Sequence, residues 1–207
     1  GLIGSFSLPE TVAIMLDGVK DITPAVLRIL AAGVLTGVLV KTGAEASISN
    51  TIVNKLNERH VYRALALATM LLTGIGVFID VAVITVAPIA LSLGQRLSIP
   101  KGSLLLVMIG GGKCGNIISP NPNTIVAAEN FNADLSSVMF ANLIPAIIGL
   151  FFVAYILVRF MPKKGVLVTD DDISSKDEEL PSFAASMVAP IITILLLSLR
   201  PICDIVI

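Results

Sequence analysis

The sequence predicts an all-α polytopic integral membrane protein, and two observations support this fold class. First, 55% of its 207 residues are hydrophobic, only 14% are charged, and the mean hydropathy is +0.93. Because a soluble domain carries about 25% charged residues, we expect the lipid bilayer to be the solvent. Second, several apolar stretches approach the roughly 20 residues that a helix needs to cross a bilayer, and short polar loops separate them.

The N-terminal part predicts two helices. Ser7 begins a helix-start signal, and residues 7–20 are expected to form a short amphipathic helix in the membrane interface. Thr23 and Pro24 then predict the N-cap and first position of a second helix. This helix is expected to run to about Gly43 and to span the membrane.

Residues 64–97 form two apolar arms joined around the segment 74–80, which ends in Asp80. The arms could be two full spans, or a re-entrant helical hairpin with Asp80 near the middle of the membrane. Both arrangements return the chain to the same side, so loop charges do not distinguish them. A carboxylate flanked by helix-weakening glycines favours the hairpin. Pro88 is expected to kink or break the second arm.

Residues 103–130 predict a broken transmembrane helix. The segment 110–124 holds four glycines and two prolines inside apolar sequence. The glycines are expected to end the first half-helix and free its carbonyl groups, and Asn121 is expected to cap a second half-helix. Its N-terminus would present unpaired N–H groups and a positive dipole. Broken membrane helices generally line a substrate or ion site.

The polar residues of the break suit a small anion that bears hydroxyl groups. Lys113 supplies a full positive charge, and the amides and hydroxyls supply donors and acceptors. The plainer alternative is that these residues only satisfy broken backbone, but a buried lysine is costly and unnecessary for that purpose. Asp80 is the predicted proton-coupling residue, with Lys113 as its electrostatic counterpart. The candidate substrate-binding residues are Gly111, Gly112, Lys113, Asn116, Ser119, Asn121, Asn123 and Thr124.

Other classes of site lack support in the sequence. Residues 110–115 match G-x-G-x-x-G, but no βαβ unit surrounds them, so a dinucleotide site is rejected. A phosphate-binding loop is rejected as well, because Cys114 follows Lys113 where Ser or Thr is needed. Metal-binding and hydrolytic motifs are missing, and we expect no metal, no cofactor and no nucleic acid partner.

The charged loops predict the topology. Basic loops at 55–63, 96–101 and 159–164 fall on one side, which the positive-inside rule places in the cytoplasm. The acidic loop at 129–134 falls on the other side. Arg28 is expected to extend its side chain to the membrane surface.

The predicted organisation has three parts. Residues 1–160 form a transmembrane unit, and 161–181 form a charged, solvated cytoplasmic linker. Residues 182–207 begin the next transmembrane segment, which Arg200 and Pro201 are expected to interrupt. Because the chain starts without Met and ends in apolar sequence, we interpret it as part of a longer protein.

Three stretches resemble the first half of the gluconate permease (GntP) family of bacterial proton symporters. They are GVFIDVAVITVAPIAL at 76–91, GGGKCGNIISPNPNTIVAAENFNAD at 110–134, and EELPSFAAS at 178–186. The resemblance implies an inner-membrane carrier that takes up gluconate or related sugar acids with protons, and a missing second, inverted half. A more distant resemblance to the wider ion-transporter superfamily implies an inverted-repeat transporter and a homodimer.

The sequence therefore predicts one half of a secondary active transporter for a small hydroxy-carboxylate. Two alternatives remain open. One is a channel or a non-transporting membrane scaffold. The other is an intramembrane enzyme that uses Lys113 or Cys114 as a nucleophile.

Overall fold

A computed structural model describes residues 4, 6–55, 60–161, 164–172 and 180–206, with side chains described except at 54, 194 and 197–206. The regular elements of this part are helical. A π-helical segment spans Phe152–Leu157, and Asp170–Asp172 form one turn of 3₁₀ helix. The α-helices are α1 Leu8–Lys41, α2 Ala44–Lys55, α3 Val61–Gly74, α4 Ile79–Arg96, α5 Lys101–Asn116, α6 Pro122–Asn130, α7 Leu135–Ala141, α8 Leu143–Phe151, α9 Val158–Phe160 and α10 Phe183–Val206.

Three stretches of the described chain are long and apolar enough to cross a membrane. They are Leu8–Lys41, Ile79–Arg96 and Leu135–Phe160, the last of which comprises α7, α8, the π-helical segment and α9. The predicted all-α membrane protein is therefore confirmed. The re-entrant hairpin and the inverted repeat stay predictions.

Helix α1 is continuous, so the prediction of two separate helices over 7–43 is wrong. The helix begins after Ser7, as predicted, and Ser7 and Glu10 exchange hydrogen bonds in a capping box. It then continues through Pro24. The Thr23 hydroxyl does not cap a new helix but donates to the carbonyl of Val19 at 2.6 Å. Membrane helices tolerate an internal proline when neighbouring hydroxyls help to satisfy the freed backbone groups.

Helix α3 lies at the centre of the fold and packs most extensively against α5. The glycines of α5 make this approach possible. A Cβ at Gly111 would lie 2.1 Å from the carbonyl oxygen of Ala66, and one at Gly115 would lie 2.0 Å from that of Met70. Only hydrogen fits at these two positions, because the backbones of α3 and α5 are in contact.

The glycine run therefore has a different role from the one predicted. Helix α5 does not end at residues 110–112 but runs through them to Asn116. A bilayer offers no water to the backbone, so unbroken helical hydrogen bonds are favoured even at glycine. Contact with α3 offsets the low helix propensity of glycine, about 1 kcal/mol per residue relative to alanine. The helix is interrupted instead at residues 117–121, between α5 and α6. This interruption is called the break below.

The two predicted arms are present as α3 and α4, joined at residues 75–78. Gly76 makes the turn with φ +106°, a left-handed conformation that favours glycine. Of the kink or break predicted at Pro88, the break is not found, because α4 continues through this residue. In the same way, the backbone of α10 continues through positions 200 and 201, where an interruption was predicted.

Residues 164–172 lie along the turn between α4 and α5 and are mostly exposed, but the backbone and one buried side chain attach this stretch to the bundle. Leu167 forms an isolated antiparallel bridge with Pro100, and the Lys101 N–H donates to the carbonyl of Val166 at 2.9 Å. Val168 is buried. A hydrophobic residue inside the charged run therefore attaches the linker to the bundle. Residues 173–179, the rest of its charged part, lie outside the described residues.

Candidate functional site

The turn between α3 and α4 lies next to the break between α5 and α6. A Cβ at Gly74 would lie 3.6 Å from the Ile118 side chain. Helix α1 closes the same region, because the Thr36 hydroxyl donates to the carbonyl of Gly76 at 2.8 Å. A second hydroxyl, that of Thr73, lies 2.8 Å from the carbonyl of Gly112 and links α3 to α5. The two interrupted elements that the sequence singled out are therefore neighbours.

The break is organised around the Asn116 carbonyl at the end of α5. Three side chains donate to this oxygen: the Ser119 hydroxyl at 3.1 Å, the Thr124 hydroxyl at 3.2 Å, and the Asn121 amide. A carbonyl that has lost its helical partner is thus satisfied by side chains of the break itself.

Asn121 is the N-cap of α6, as predicted. Its Oδ1 accepts from the backbone N–H of Asn123 at 2.8 Å, and its Nδ2 donates to the Thr124 hydroxyl at 2.9 Å. The residue is 2% exposed. A single side chain therefore joins the C-terminal end of one half-helix to the N-terminal end of the next.

The predicted binding residues separate into two groups by exposure. Lys113 and Asn123 are exposed, and the others are buried. Ser119, Asn121 and Thr124 use their polar groups within the break, while Gly111 and Gly112 pack against α3 and α4. Asn116 is 6% exposed, and its backbone carbonyl is the acceptor around which the break is organised.

Lys113 and Asp80 are on adjacent elements and both are exposed. A Cβ at Gly112 would lie 2.9 Å from the side chain of Ile79, so the residues that precede the two charges are in contact. Among the described residues, however, Lys113 and Asp80 form no ion pair. The structure thus brings the two predicted charges into one region and leaves both accessible.

Sequence reasoning missed an ion pair between α1 and α6. The Arg28 Nη1 atom lies 2.6 Å from Oε1 of Glu129, and Arg28 therefore does not simply extend to the membrane surface. The contact is an ion pair without aligned hydrogen-bond geometry. The predicted topology could have indicated this pair, because it places Arg28 and Glu129 near the same face of the membrane. Within the described residues, no group of three His, Cys, Asp or Glu side chains is placed to hold a metal ion.

Comparison with known proteins assigns the chain to a family. The GntP family permease profile matches residues 1–207. The chain is 55% identical to an uncharacterized transporter of Haemophilus influenzae, over 96% of this chain and 47% of that protein. It is 22% identical to a high-affinity gluconate transporter of Escherichia coli, over 100% of this chain and 48% of that protein. It is 26% identical to the Gnt-II system L-idonate transporter of Escherichia coli, over 91% of this chain and 44% of that protein.

The chain spans about half the length of these relatives. No solved structure matches it. The family is one of permeases, and its characterised members named here are transporters and not enzymes, which agrees with the predicted class at the level of the family. The match covers every residue of the chain, and the protein is therefore a member of the GntP family of permeases.

Proposed function

We propose that this chain forms one half of a proton-coupled secondary active transporter for small hydroxy-carboxylates, in the bacterial inner membrane. The observation that carries the proposal is the break between α5 and α6 in a member of a permease family. The names of two relatives, a gluconate transporter and an L-idonate transporter, support sugar acids as the substrate class.

The break offers the groups that such a substrate needs. The positive end of the α6 dipole and the ammonium of Lys113 favour a carboxylate. The exposed amide of Asn123 can donate to or accept from a substrate hydroxyl. Ser119, Asn121 and Thr124 are already hydrogen-bonded to one another or to backbone, so we assign them to holding the break in shape.

The exposure of Lys113 and Asp80 supports a site completed by further protein. A charged side chain is costly when it faces lipid, and intramembrane charges usually face a water-filled cavity or the interior of a bundle. We propose that a second, inverted half of the transporter encloses this face, and that the complete transporter is a homodimer. Residues 64–97 are proposed to be re-entrant.

Coupling follows from the position of the two charges. An arriving carboxylate binds Lys113 and cancels a positive charge near Asp80. Proton binding at Asp80 then becomes more favourable, and by linkage a bound proton favours the anion. Asp80 is the proposed proton site and Lys113 the proposed carboxylate site.

Uptake by the full-length polypeptide in membrane vesicles tests the proposal. Labelled gluconate and idonate should accumulate in a saturable way when a proton gradient is imposed, should show counterflow, and should be released unchanged. Collapse of the gradient with an ionophore should abolish accumulation. Flux without saturation or counterflow would indicate a channel, and a chemically altered product would indicate an enzyme. Failure to take up any hydroxy-carboxylate would contradict the proposal.

A further inference from the structure

An aromatic cluster lies on the outer surface of the span Leu135–Phe160, near its C-terminal end. Phe151 and Tyr155 stack with their ring centroids 4.6 Å apart, and they are 58% and 49% exposed. The neighbouring Phe152 is also exposed. Tyrosine is typical of the boundary between the hydrocarbon core and the headgroups, because its ring is apolar and its hydroxyl is polar. The cluster therefore suits the level of the lipid headgroups.

An arginine of α3 lies over this cluster. The guanidinium carbon of Arg63 lies 4.8 Å from the centroid of the Tyr155 ring, a distance at which a cation is attracted to the face of an aromatic ring. A ring cannot satisfy all five N–H donors of a guanidinium. Among the described residues, Arg63 forms no ion pair. Its donors therefore remain available to a ligand.

The charge around Arg63 is positive. Helix α3 has no acidic residue in its first turn, and no side-chain hydrogen bond caps its N-terminus. The positive end of the helix dipole therefore adds to the charge of Arg63. A second arginine, Arg159, follows Tyr155 by four residues, about one helical turn, and is exposed. In the part of the chain that the structure describes, Arg159 also has no carboxylate partner. The complement of this surface is an anion.

The apolar surroundings favour a phospholipid over a dissolved anion. Ile148 and Ile156, on the same span, are 63% and 41% exposed and extend the apolar surface beside the aromatic cluster. Acyl chains can cover this surface while the headgroup reaches the arginines, whereas a dissolved anion leaves it uncovered. The loop charges predict that both arginines lie at the cytoplasmic face, where anionic lipids attract basic side chains.

We propose that Arg63, Tyr155 and Arg159 form a binding site for the headgroup of an anionic phospholipid. Arg63 binds the lipid phosphate with paired hydrogen bonds, and the Tyr155 ring holds its guanidinium in place. The Tyr155 hydroxyl, which has no hydrogen-bond partner among the described side chains, donates to a headgroup oxygen. Arg159 adds a second positive charge. Tyr155 also belongs to the π-helical segment, and such segments frequently occur at functional sites.

Quenching of tryptophan fluorescence by brominated lipids tests the proposal on the full-length protein. The reporter is Tyr155→Trp, which keeps an aromatic face and a donor, in a background without other tryptophans. The control reporter is Ile148→Trp, about two turns earlier on the same span. In mixed vesicles of phosphatidylcholine and phosphatidylglycerol, brominated phosphatidylglycerol should quench position 155 more strongly than an equal fraction of brominated phosphatidylcholine. At position 148 the two brominated lipids should quench equally.

Charge variants assign the preference to the two arginines. Arg63→Gln should lower the relative affinity for phosphatidylglycerol about fivefold, the effect of one arginine near an anionic surface. Arg159→Gln, at an exposed position with little influence on folding, should lower it by a similar factor. Lys41→Gln is the matched control, because Lys41 is an exposed cation at the end of α1 without an aromatic ring beneath it among the described residues. It should leave the preference unchanged.

Three results would overturn the proposal. One is equal quenching of position 155 by the two brominated lipids, or a preference that survives in both arginine variants. Another is weak quenching of position 155 by either lipid, which would show that the second half of the transporter or a second copy covers this face. The third concerns a dissolved anion: inorganic phosphate should reduce the preference no more than sodium chloride of the same ionic strength. A larger reduction would indicate a site for free phosphate instead of a lipid.

Discussion

The side chain of Asn121 donates a hydrogen bond to the backbone carbonyl of Asn116 across the break between α5 and α6. The side-chain oxygen of the same residue, Oδ1, caps α6. Replacement by alanine would remove one of the three side-chain donors to a buried carbonyl and would also uncap a helix. We therefore expect Asn121→Ala to lower the free energy of unfolding by about 1–3 kcal/mol. Thermal unfolding in detergent measures this.

Asn130→Ala is the matched control, because Asn130 is exposed and, among the described residues, its side chain donates only to the carbonyl of Val126. Its effect should stay within about 0.5 kcal/mol. Equal stability of the two variants would show that the Asn121 network does not hold the break.

The contact between α3 and α5 gives a second prediction. Because a Cβ at Gly111 would lie 2.1 Å from the Ala66 carbonyl oxygen, Gly111→Ala should destabilise the protein by about 3 kcal/mol or more. On the same helix, a Cβ at Gly102 would have no neighbour within 4 Å. Gly102→Ala should therefore keep the wild-type melting temperature or raise it slightly. Equal melting temperatures for the two alanine variants would contradict this prediction.

The docked linker should respond to acid. The Lys101 ammonium, 2.6 Å away, together with hydrogen bonds from Thr169, lowers the pKa of Asp172 from 3.8 to about 2. A lowered pKa contributes stability that is present above the unfolded value and is lost as the pH falls through the folded value. Linker docking should therefore weaken between about pH 4 and about pH 2.

Hydrogen exchange of the Lys101 amide, which donates to Val166, reports this docking after correction for the intrinsic rate. Asp172→Asn should remove much of the protection already at neutral pH. Asp171→Asn, at an exposed position of the same turn, should not. Unchanged protection in Asp172→Asn would show that the ion pair does not hold the linker.

The proposed coupling residues predict two different transport defects. Lys113→Gln should weaken substrate binding about ten- to a hundredfold, since it removes a charged partner of the carboxylate. Asp80→Asn should abolish accumulation driven by the proton gradient but retain exchange of substrate for substrate. Uptake and exchange are measured in the same vesicles, with Lys20→Gln, an exposed position in the N-terminal half of α1, as the control. Gradient-driven accumulation in the double variant Asp80→Asn, Lys113→Gln would contradict the mechanism.

Features governed by composition and local hydrogen bonding were predicted from the sequence. The low charge predicted the membrane class, Ser7 and Glu10 predicted the start of α1, and Asn121 was identified as the cap of α6. Each depends on residues close together in the chain. The arms of 64–97 were also found, because the apolar stretches and the turn glycines are local signals.

Features that depend on distant partners were missed. The sequence shows glycines at 110–112 but not the α3 backbone that makes them favourable in a helix. It shows an acidic linker but not the surface that buries Val168. It also places Arg28 and Glu129 about a hundred residues apart, and only the packing of α1 against α6 brings them together. In each case a contact between residues far apart in the sequence determines the structure, and the local sequence pattern does not show it.

The continuity of α1 has a mechanical consequence. Its 34 residues make a rod about 51 Å long, whereas the hydrocarbon core of a bilayer is about 30 Å thick. The rod is attached near its C-terminal end to the turn between α3 and α4, through Thr36 and Gly76. Nearer its middle it is attached to α6, through Arg28 and Glu129. A tilt of α1 would therefore displace the α3–α4 turn and α6 together.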